Sequence, residues 1–406
     1  MKAAEWHSNA MALLARGDTL EARNLLALAL TEDPQNVKYL LDYAQVYVEL
    51  GQYAKAEMCF GKALELEPNS PLGNYRWGNL RKQFGHVIKA IEKYSLAIAA
   101  DPEYVEAFNN RGSAYQMMGK LGEARADYLQ AIELNPKLEE AYLNLGRLLD
   151  TQEELEAAAQ IYQLALTNGV NPDLFTHLFQ AASSVSSEKA PLGYVRAIYD
   201  SHASAFDMHF TQTLKYALPS LIGANVRAIA AQREEALIAV DLGCGTGLCG
   251  AEIATFVSHL AGVDVSPAML DHADRRGIYH DLVESDIERF LPELNEGSID
   301  LFVAAEVFIC FGTLNRVFFD VERVLRPGGA FIFSIESLDD EGDYRLQRSG
   351  RFRHSVHYIE RLAAQVGLTP YRSEAVDLQI GLGFEERGRL FTFRKRALDW
   401  QSRDGQ

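Results

Sequence analysis

Between Ala236 and Phe256 the chain reads ALIAVDLGCGTGLCGAEIATF: an apolar run, a turn carrying Gly243, Gly245 and Gly247, then a helical period. Glycines let the backbone bend sharply there and approach a ligand that a Cβ would exclude. The helix behind them presents free N–H groups. Nicotinamide enzymes share this kind of turn, so its flanks must discriminate. A dinucleotide turn runs G-x-G-x-x-G; here the spacing is D-x-G-x-G-x-G, with Asp241 ahead of the first glycine. A carboxylate in that place repels a pyrophosphate and suits a ligand that carries positive charge. More acids follow in order. Asp264 closes LAGVD, Asp286 follows LVES, Glu306 lies beyond IDLFVAA and Glu336 ends AFIFSIE. Each stands where an apolar run ends, and open α/β sheets bind ligands outside the carboxyl ends of their strands. Asp300 begins its run instead and reads as structural.

The turn with its leading acid resembles motif I of methyltransferases that depend on S-adenosylmethionine (SAM), a cofactor with an ammonium and a sulfonium and no pyrophosphate. Three further stretches fit that resemblance in sequence order: D-V-S-P-A-M-L from Asp264, S-D-I from Ser285, and R-P-G-G from Arg326. The resemblance implies that Asp241, Gly243, Cys244, Gly245 and Gly247 line the cofactor site. It further implies that Asp264 meets the ribose, that Val265 and Met269 belong to the cofactor site, and that Asp286 and Ile287 grip the adenine. Glu306 then sits at the border of cofactor and acceptor.

Upstream, YVRAIYDSHASAFDMHFTQTLKYALP is helical and spaces its aromatics along one side. It resembles the segment that folds over the cofactor in many small-molecule methyltransferases. In particular it is similar to a bacterial family of predicted methyltransferases fused to tetratricopeptide repeats. The matching residues are Tyr199, Asp200, Ala203, Phe206, Asp207, His209, Leu214, Tyr216 and Pro219, with Phe210 in place of a leucine. Tyr199 and Phe206 are thereby expected at the cofactor. A hydroxyl or ammonium acceptor is helped by a general base, and the candidates are His209, Glu306, Glu336 and His354. His354 stands in RFRHSVHYI, a stretch the repeat-fused family shares in similar form. The basic residues from Arg345 to Arg361 otherwise read as a solvated approach to a helix.

Some acceptors are disfavoured. AEVF stands where adenine-N6 and glutamine methyltransferases carry (D/N)PP(Y/F), no Pro-Cys pair supplies a cytosine-C5 nucleophile, and no paired-glutamate loop of the arginine type is present. A small molecule or a protein side chain remains.

From Ala236 onward, short apolar runs alternate with helical periods, the pattern of a doubly wound α/β domain. The first half is different. Pro34, Pro68, Pro102 and Pro136 recur every 34 residues by their numbering. Ala22, Ala56, Ala90, Ala124 and Ala158 keep the same phase, as do Leu26, Phe60, Tyr94, Tyr128 and Tyr162. On the preceding helices Ala10, Ala44, Gly78, Gly112 and Gly146 hold a small-residue position, and Gly51, Gly85 and Gly119 close them. This resembles the tetratricopeptide repeat, five of them over about residues 3 to 170.

The expected architecture is therefore an α-solenoid of such repeats followed by a Rossmann-like methyltransferase domain. Its parts are repeats with a capping helix (1–183), a linker rich in Ser, Pro and Gly (184–193), a helical lid (194–235) and the SAM-binding domain (236–406). Such arrays offer a groove to a protein or peptide, or act as spacers. Tyr39, Tyr43, Asn74, Asn109, Asn110 and Asn144 lie on the first helices of their repeats, where both groove-lining and packing residues fall.

A formal charge of −17 argues against non-specific attraction to nucleic acid or anionic lipid. No apolar stretch is long enough to span a bilayer, and no secretory signal is evident at the N-terminus. Four cysteines without a CxxC pair or a histidine cluster imply neither disulfides nor zinc, and a cytoplasmic setting follows by default. Three functions fit: a methyltransferase whose repeats recruit a protein substrate, a small-molecule methyltransferase whose repeats serve assembly, and an interaction scaffold with a SAM-binding but inactive domain.

Overall fold

A computed structural model describes residues 2–185, 187–208, 217–380 and 384–397. They fall into two compact units, Met1–Asn171 and Pro172–Gln406.

The first unit is ten helices in five pairs: Lys2–Leu14 with Thr19–Glu32, Val37–Glu49 with Tyr53–Leu66, Pro71–Gln83 with Val87–Ala100, Val105–Met117 with Leu121–Leu134, and Glu139–Thr151 with Leu155–Thr167. The in-phase alanines are fully buried where paired helices meet. The glycine at the small-residue position is explained by the ring sixteen residues on. A Cβ at Gly78 would stand 2.7 Å from Tyr94, one at Gly112 2.8 Å from Tyr128, and one at Gly146 2.1 Å from Tyr162. Where the later residue is Leu26 or Phe60, without a hydroxyl to house, alanine is accommodated at positions 10 and 44. Each tyrosine hydroxyl then donates to the first helix of its pair: Tyr94 to Asn79 Oδ1 at 2.8 Å, Tyr128 to Gln116 Oε1 at 2.9 Å, Tyr162 to Asp150 Oδ2 at 2.8 Å.

Alanine in place of a helical glycine ordinarily stabilises by about 0.5–1 kcal/mol. At Gly146 the clash reverses the sign, and Gly146→Ala is expected to cost about 1–3 kcal/mol through overpacking. Urea unfolding checks this; a raised midpoint would contradict the packing described.

The expected groove residues are mostly packing residues. Asn74 is fully buried, Tyr39 and Asn109 are buried, Asn144 donates to Asn109 Oδ1 at 3.0 Å, and Asn110 donates to Asn79 and to the Tyr75 hydroxyl. Asn109, Asn110 and Asn144 thus bond across the interfaces between repeats, while Asn74 bonds the carbonyls of Pro68 and Ser70 within its own.

The second unit holds a seven-stranded sheet. Its strands are β1 (Leu237–Leu242), β2 (Val257–Asp264), β3 (Asp281–Glu284), β4 (Ile299–Ala304) and β5 (Leu325–Glu336). Strands β6 (Tyr344–Leu346) and β7 (Phe352–His354) form a separate ribbon, and β8 (Leu368–Ile380) and β9 (Phe384–Lys395) complete the large sheet. The order is β3-β2-β1-β4-β5-β9-β8, parallel through β5, with β9 and β8 added antiparallel. Because β1 pairs with both β2 and β4, the chain reverses its winding direction beside β1, and a crevice opens at the strands' carboxyl ends. One face packs a phenylalanine-rich layer around Phe302, Phe318, Phe331 and Phe333; the other packs Ile222, Val226, Ile253 and Leu260. Asp300, buried at the start of β4, accepts from Arg233, Arg326 and the backbone of Ile238, a structural role as read from its position.

Two boundaries differ from those read in the sequence. The helix Pro172–Ala182, expected to cap the repeats, belongs to the second unit. Its His177 Nε2 bonds the Gly350 carbonyl at 2.8 Å, and its ring meets Tyr194 and Phe352. Nor is the expected linker free. Glu188 accepts from the N–H groups of Gly312 and Thr313, Lys189 pairs with Phe311 as an isolated bridge, and Ala190 donates to Cys310. Polar, glycine-flanked composition resembles a linker, yet backbone pairing gives the segment a fixed course as a strap across the domain.

Candidate active site

A cavity of about 320 Å³ opens at the carboxyl ends of β1, β2 and β4. Strand ends supply its floor: Asp241, Gly243, Cys244 and Gly245 after β1, Val263, Asp264 and Val265 from β2, Ser285, Asp286 and Ile287 after β3, and Glu306 after β4. The strap and the helix Leu192–Met208 cover it with Lys189, Leu192, Val195, Ile198 and Tyr199.

The glycines divide their work. Gly243, Gly245 and Gly247 all hold positive φ, at 66, 53 and 87°. A Cβ on Gly243 would meet Val307 at 2.5 Å, so close packing requires that glycine. Nothing lies within 4 Å of the Cβ position at Gly245, which keeps that wall open to a ligand. Gly247 does not line the cavity; it packs on Arg276 and Tyr279 and caps the helix Leu248–Ile253.

Asp264 is fixed by the backbone: Gly245 N donates to Oδ2 and Ser266 N to Oδ1, both at 2.9 Å. Its pKa is raised, burial outweighing those hydrogen bonds. Ser266 caps the following helix by accepting from Met269 N and donates to Asp200 at 2.5 Å. Asp241 is more deeply enclosed. Burial pushes its carboxyl up to about 7, against the lowering effect of a 2.8 Å bond from the Tyr279 hydroxyl. Tyr279 was not singled out in the sequence. Its ring fills the space left by Gly247, Gly250 and Gly262, where Cβ atoms would come within 3.0, 2.2 and 2.9 Å. Those glycines were the only available signal, and a spacing of many residues hid it.

Residues 240–333 match the family model described as "Methyltransferase domain". Residues 13–74, 105–138 and 139–168 match models described as "Tetratricopeptide repeat", and 78–119 one described as "TPR repeat". The chain joins tetratricopeptide repeats to a methyltransferase domain. Among curated proteins it is similar to a malonyl-[acyl-carrier protein] O-methyltransferase of Serratia marcescens, 29% identical over 140 residues, which is 34% of this chain and 54% of that protein. It is also similar to a sterol 4-C-methyltransferase of Caenorhabditis elegans, 24% identical over 206 residues, 49% of this chain and 57% of that protein. The chain thus spans about half the length of these relatives. Among solved structures, magnesium protoporphyrin IX methyltransferase from Synechocystis PCC 6803 aligns with half of this chain and 99% of its own at 15% identity, with a TM-score of 0.40.

In the methyltransferase domain's cavity, Lys189 binds Asp286 through both oxygens, at 2.8 and 2.5 Å, and Glu288 at 2.9 Å. Arg351, which also lines the cavity, binds Glu336 through Nε and Glu306 through a terminal nitrogen at 3.3 Å. Arg353 lies 3.6 Å from the same Glu336, which is 1% exposed. The paired carboxylates raise the pKa of Arg351 despite its burial. Glu306 itself sits at φ 53°, costly for a residue with a Cβ, and its N–H is held by Ser334 Oγ at 2.8 Å.

The residues expected as bases have other partners. Glu306 and Glu336 hold an arginine instead of standing free to accept a proton. His354 is fully buried outside the cavity, its Nε2 on the Gly312 carbonyl at 3.0 Å and its ring stacked on Tyr358; burial lowers its pKa to about 4. It holds the chain near Gly312 and stays neutral. The stretch around Arg351 is likewise no solvated approach, since Arg351 faces the cavity. Lys189, Arg351, Cys310 and Phe311 line the site without having been singled out for it, because nothing local in sequence marks a strap or a crossing ribbon. His209 lies outside the described residues, and so does the side chain of Phe206. Tyr199, Cys244, Val265, Met269 and Ile287 line the cavity.

Proposed function

We propose that the methyltransferase domain binds S-adenosylmethionine in this cavity and transfers its methyl group to an oxygen or nitrogen of a protein or small molecule, while the repeats recruit the protein partner. One observation carries the reading. Asp241 and Asp264 face the cavity, and among the described residues neither has a lysine or arginine partner, whereas Asp286 and Glu306 do. An enclosed pair of carboxylates without cations suits a ligand that brings its own positive charge and hydroxyl donors.

When bound, the cofactor supplies a methyl group on an electrophilic sulfonium. Asp241 offsets positive charge, Asp264 accepts from the ribose hydroxyls, and Val265, Met269 and Ile287 give the adenine an apolar bed. The covering helix excludes water. With Glu306, Glu336 and His354 committed elsewhere, the contribution of the described residues is alignment of the acceptor with the methyl.

Purified full-length protein incubated with radiolabelled SAM and host extract tests this, with Asp241→Ala as control. Label in a discrete protein band, lost in the variant, is the expected result. Label confined to small molecules would make the repeats an assembly element. Binding without any label would favour an inactive scaffold.

A further inference from the structure

We infer that Lys189, in the strap ahead of the covering helix, is a positioning residue that makes the site selective for a 6-aminopurine. The inference rests on the cofactor reading above.

The argument is a count of hydrogen-bond capacity. An ionised carboxylate offers about four acceptor positions on its two oxygens. On Asp286, Oδ1 accepts from Lys189 at 2.8 Å and from the backbone N–H of Glu288 at 2.9 Å. Oδ2 accepts from Lys189 at 2.5 Å. One position is left, on Oδ2, and Asp286 lines the cavity. Lys189 in turn has three donors, and they are spent on the two oxygens of Asp286 and on Glu288 Oε2 at 2.9 Å. The ammonium also sits 4.6 Å from the centroid of the Phe311 ring, and that residue pairs with Lys189 through the backbone. The lysine is therefore held from three sides and holds the carboxylate fixed in rotation. What remains for a ligand is a single acceptor of fixed direction.

A purine with a 6-amino group donates to that acceptor. A purine with a 6-keto group presents an acceptor to an acceptor, and a buried mismatch of this kind costs more than the absence of a bond. Without Lys189, Asp286 is free to rotate. A carboxylate that can turn no longer presents that one fixed acceptor, and discrimination would fall.

The probes are S-adenosylhomocysteine and S-inosylhomocysteine, titrated by calorimetry into the full chain, wild type and Lys189→Met. Wild type is expected to prefer the adenosine compound by at least tenfold. Lys189→Met is expected to lose most of that preference by weakening the adenosine compound more than the inosine one, and Lys189→Arg to restore part of it. Melting temperatures identify a variant that fails to fold, in which case Lys189→Arg and Asp286→Asn supply the comparison; Asp286→Asn should also lose the preference. An unchanged ratio in Lys189→Met overturns the role of Lys189 and leaves the cofactor reading intact. A wild type that binds neither compound overturns both.

Discussion

Replacing Asp241 with asparagine is expected to weaken SAM binding by on the order of ten- to a hundredfold, the 1.5–3 kcal/mol associated with a hydrogen bond to a charged group. The substitution keeps the shape and the bond from Tyr279, so charge is the chief quantity removed. The wild type should show the same dependence through pH. The carboxyl titrates at about 7 in the folded protein, above its ordinary 3.8. A cationic ligand requires the ionised form, so each pH unit below about 7 costs nearly tenfold in affinity. Between pH 8 and pH 6 the dissociation constant should rise about tenfold, and in Asp241→Asn this slope should vanish.

Stability of the free protein moves the opposite way. A raised carboxyl pKa means that the folded state holds its proton longer than the unfolded chain. The contribution of Asp241 is therefore least unfavourable at acid pH and worsens as pH rises from about 4 to about 7. Titration calorimetry at pH 6, 7 and 8 checks the binding side. A flat profile would remove Asp241 from the role assigned to it.

Arg351→Met should lower stability by about 3 kcal/mol or more, since it removes the guanidinium that pairs with the buried Glu336. For a unit of this size that is a fall of roughly 6–12 °C in melting temperature. Adding Glu336→Gln to the same chain should recover a good part of the loss, because a neutral amide is less costly to bury than a carboxylate that has lost its guanidinium. Arg351→Lys should fall between, as an ammonium cannot span Glu336 and Glu306 as a guanidinium does. Thermal melts of the three variants decide the matter. A double variant no more stable than Arg351→Met would mean that the arginine is held by packing and not by charge.

The sequence revealed what is periodic or contiguous. A 34-residue repeat declares itself five times over, and Asp241, Gly243 and Gly245 lie within five positions of one another by number. The acids at the ends of β1 to β4 could be ordered because each closes its own apolar run. What stayed hidden depends on distant crossings. Lys189 meets Asp286 across 97 positions, His177 meets Gly350 across 173, and Tyr279 reaches Asp241 across 38. The histidine at 354 misled for a related reason. Its neighbours resemble a family stretch, yet its side chain alternates with Arg351 and Arg353 along the ribbon, so that it faces inward onto Gly312 while Arg351 takes the cavity side.

The course of the strap bears on where the gene should be divided to obtain the methyltransferase domain alone. A cut at Ala236, where the α/β pattern begins, would discard the whole cover of the cavity, and a cut at Tyr194 would still discard Lys189. A cut at Ser184 keeps the lysine but removes His177, whose ring holds the carbonyl of Gly350 beside Arg351. Only a fragment that starts at Pro172 carries every described residue that shapes the site, so the natural seam for expression lies one helix earlier than composition would place it.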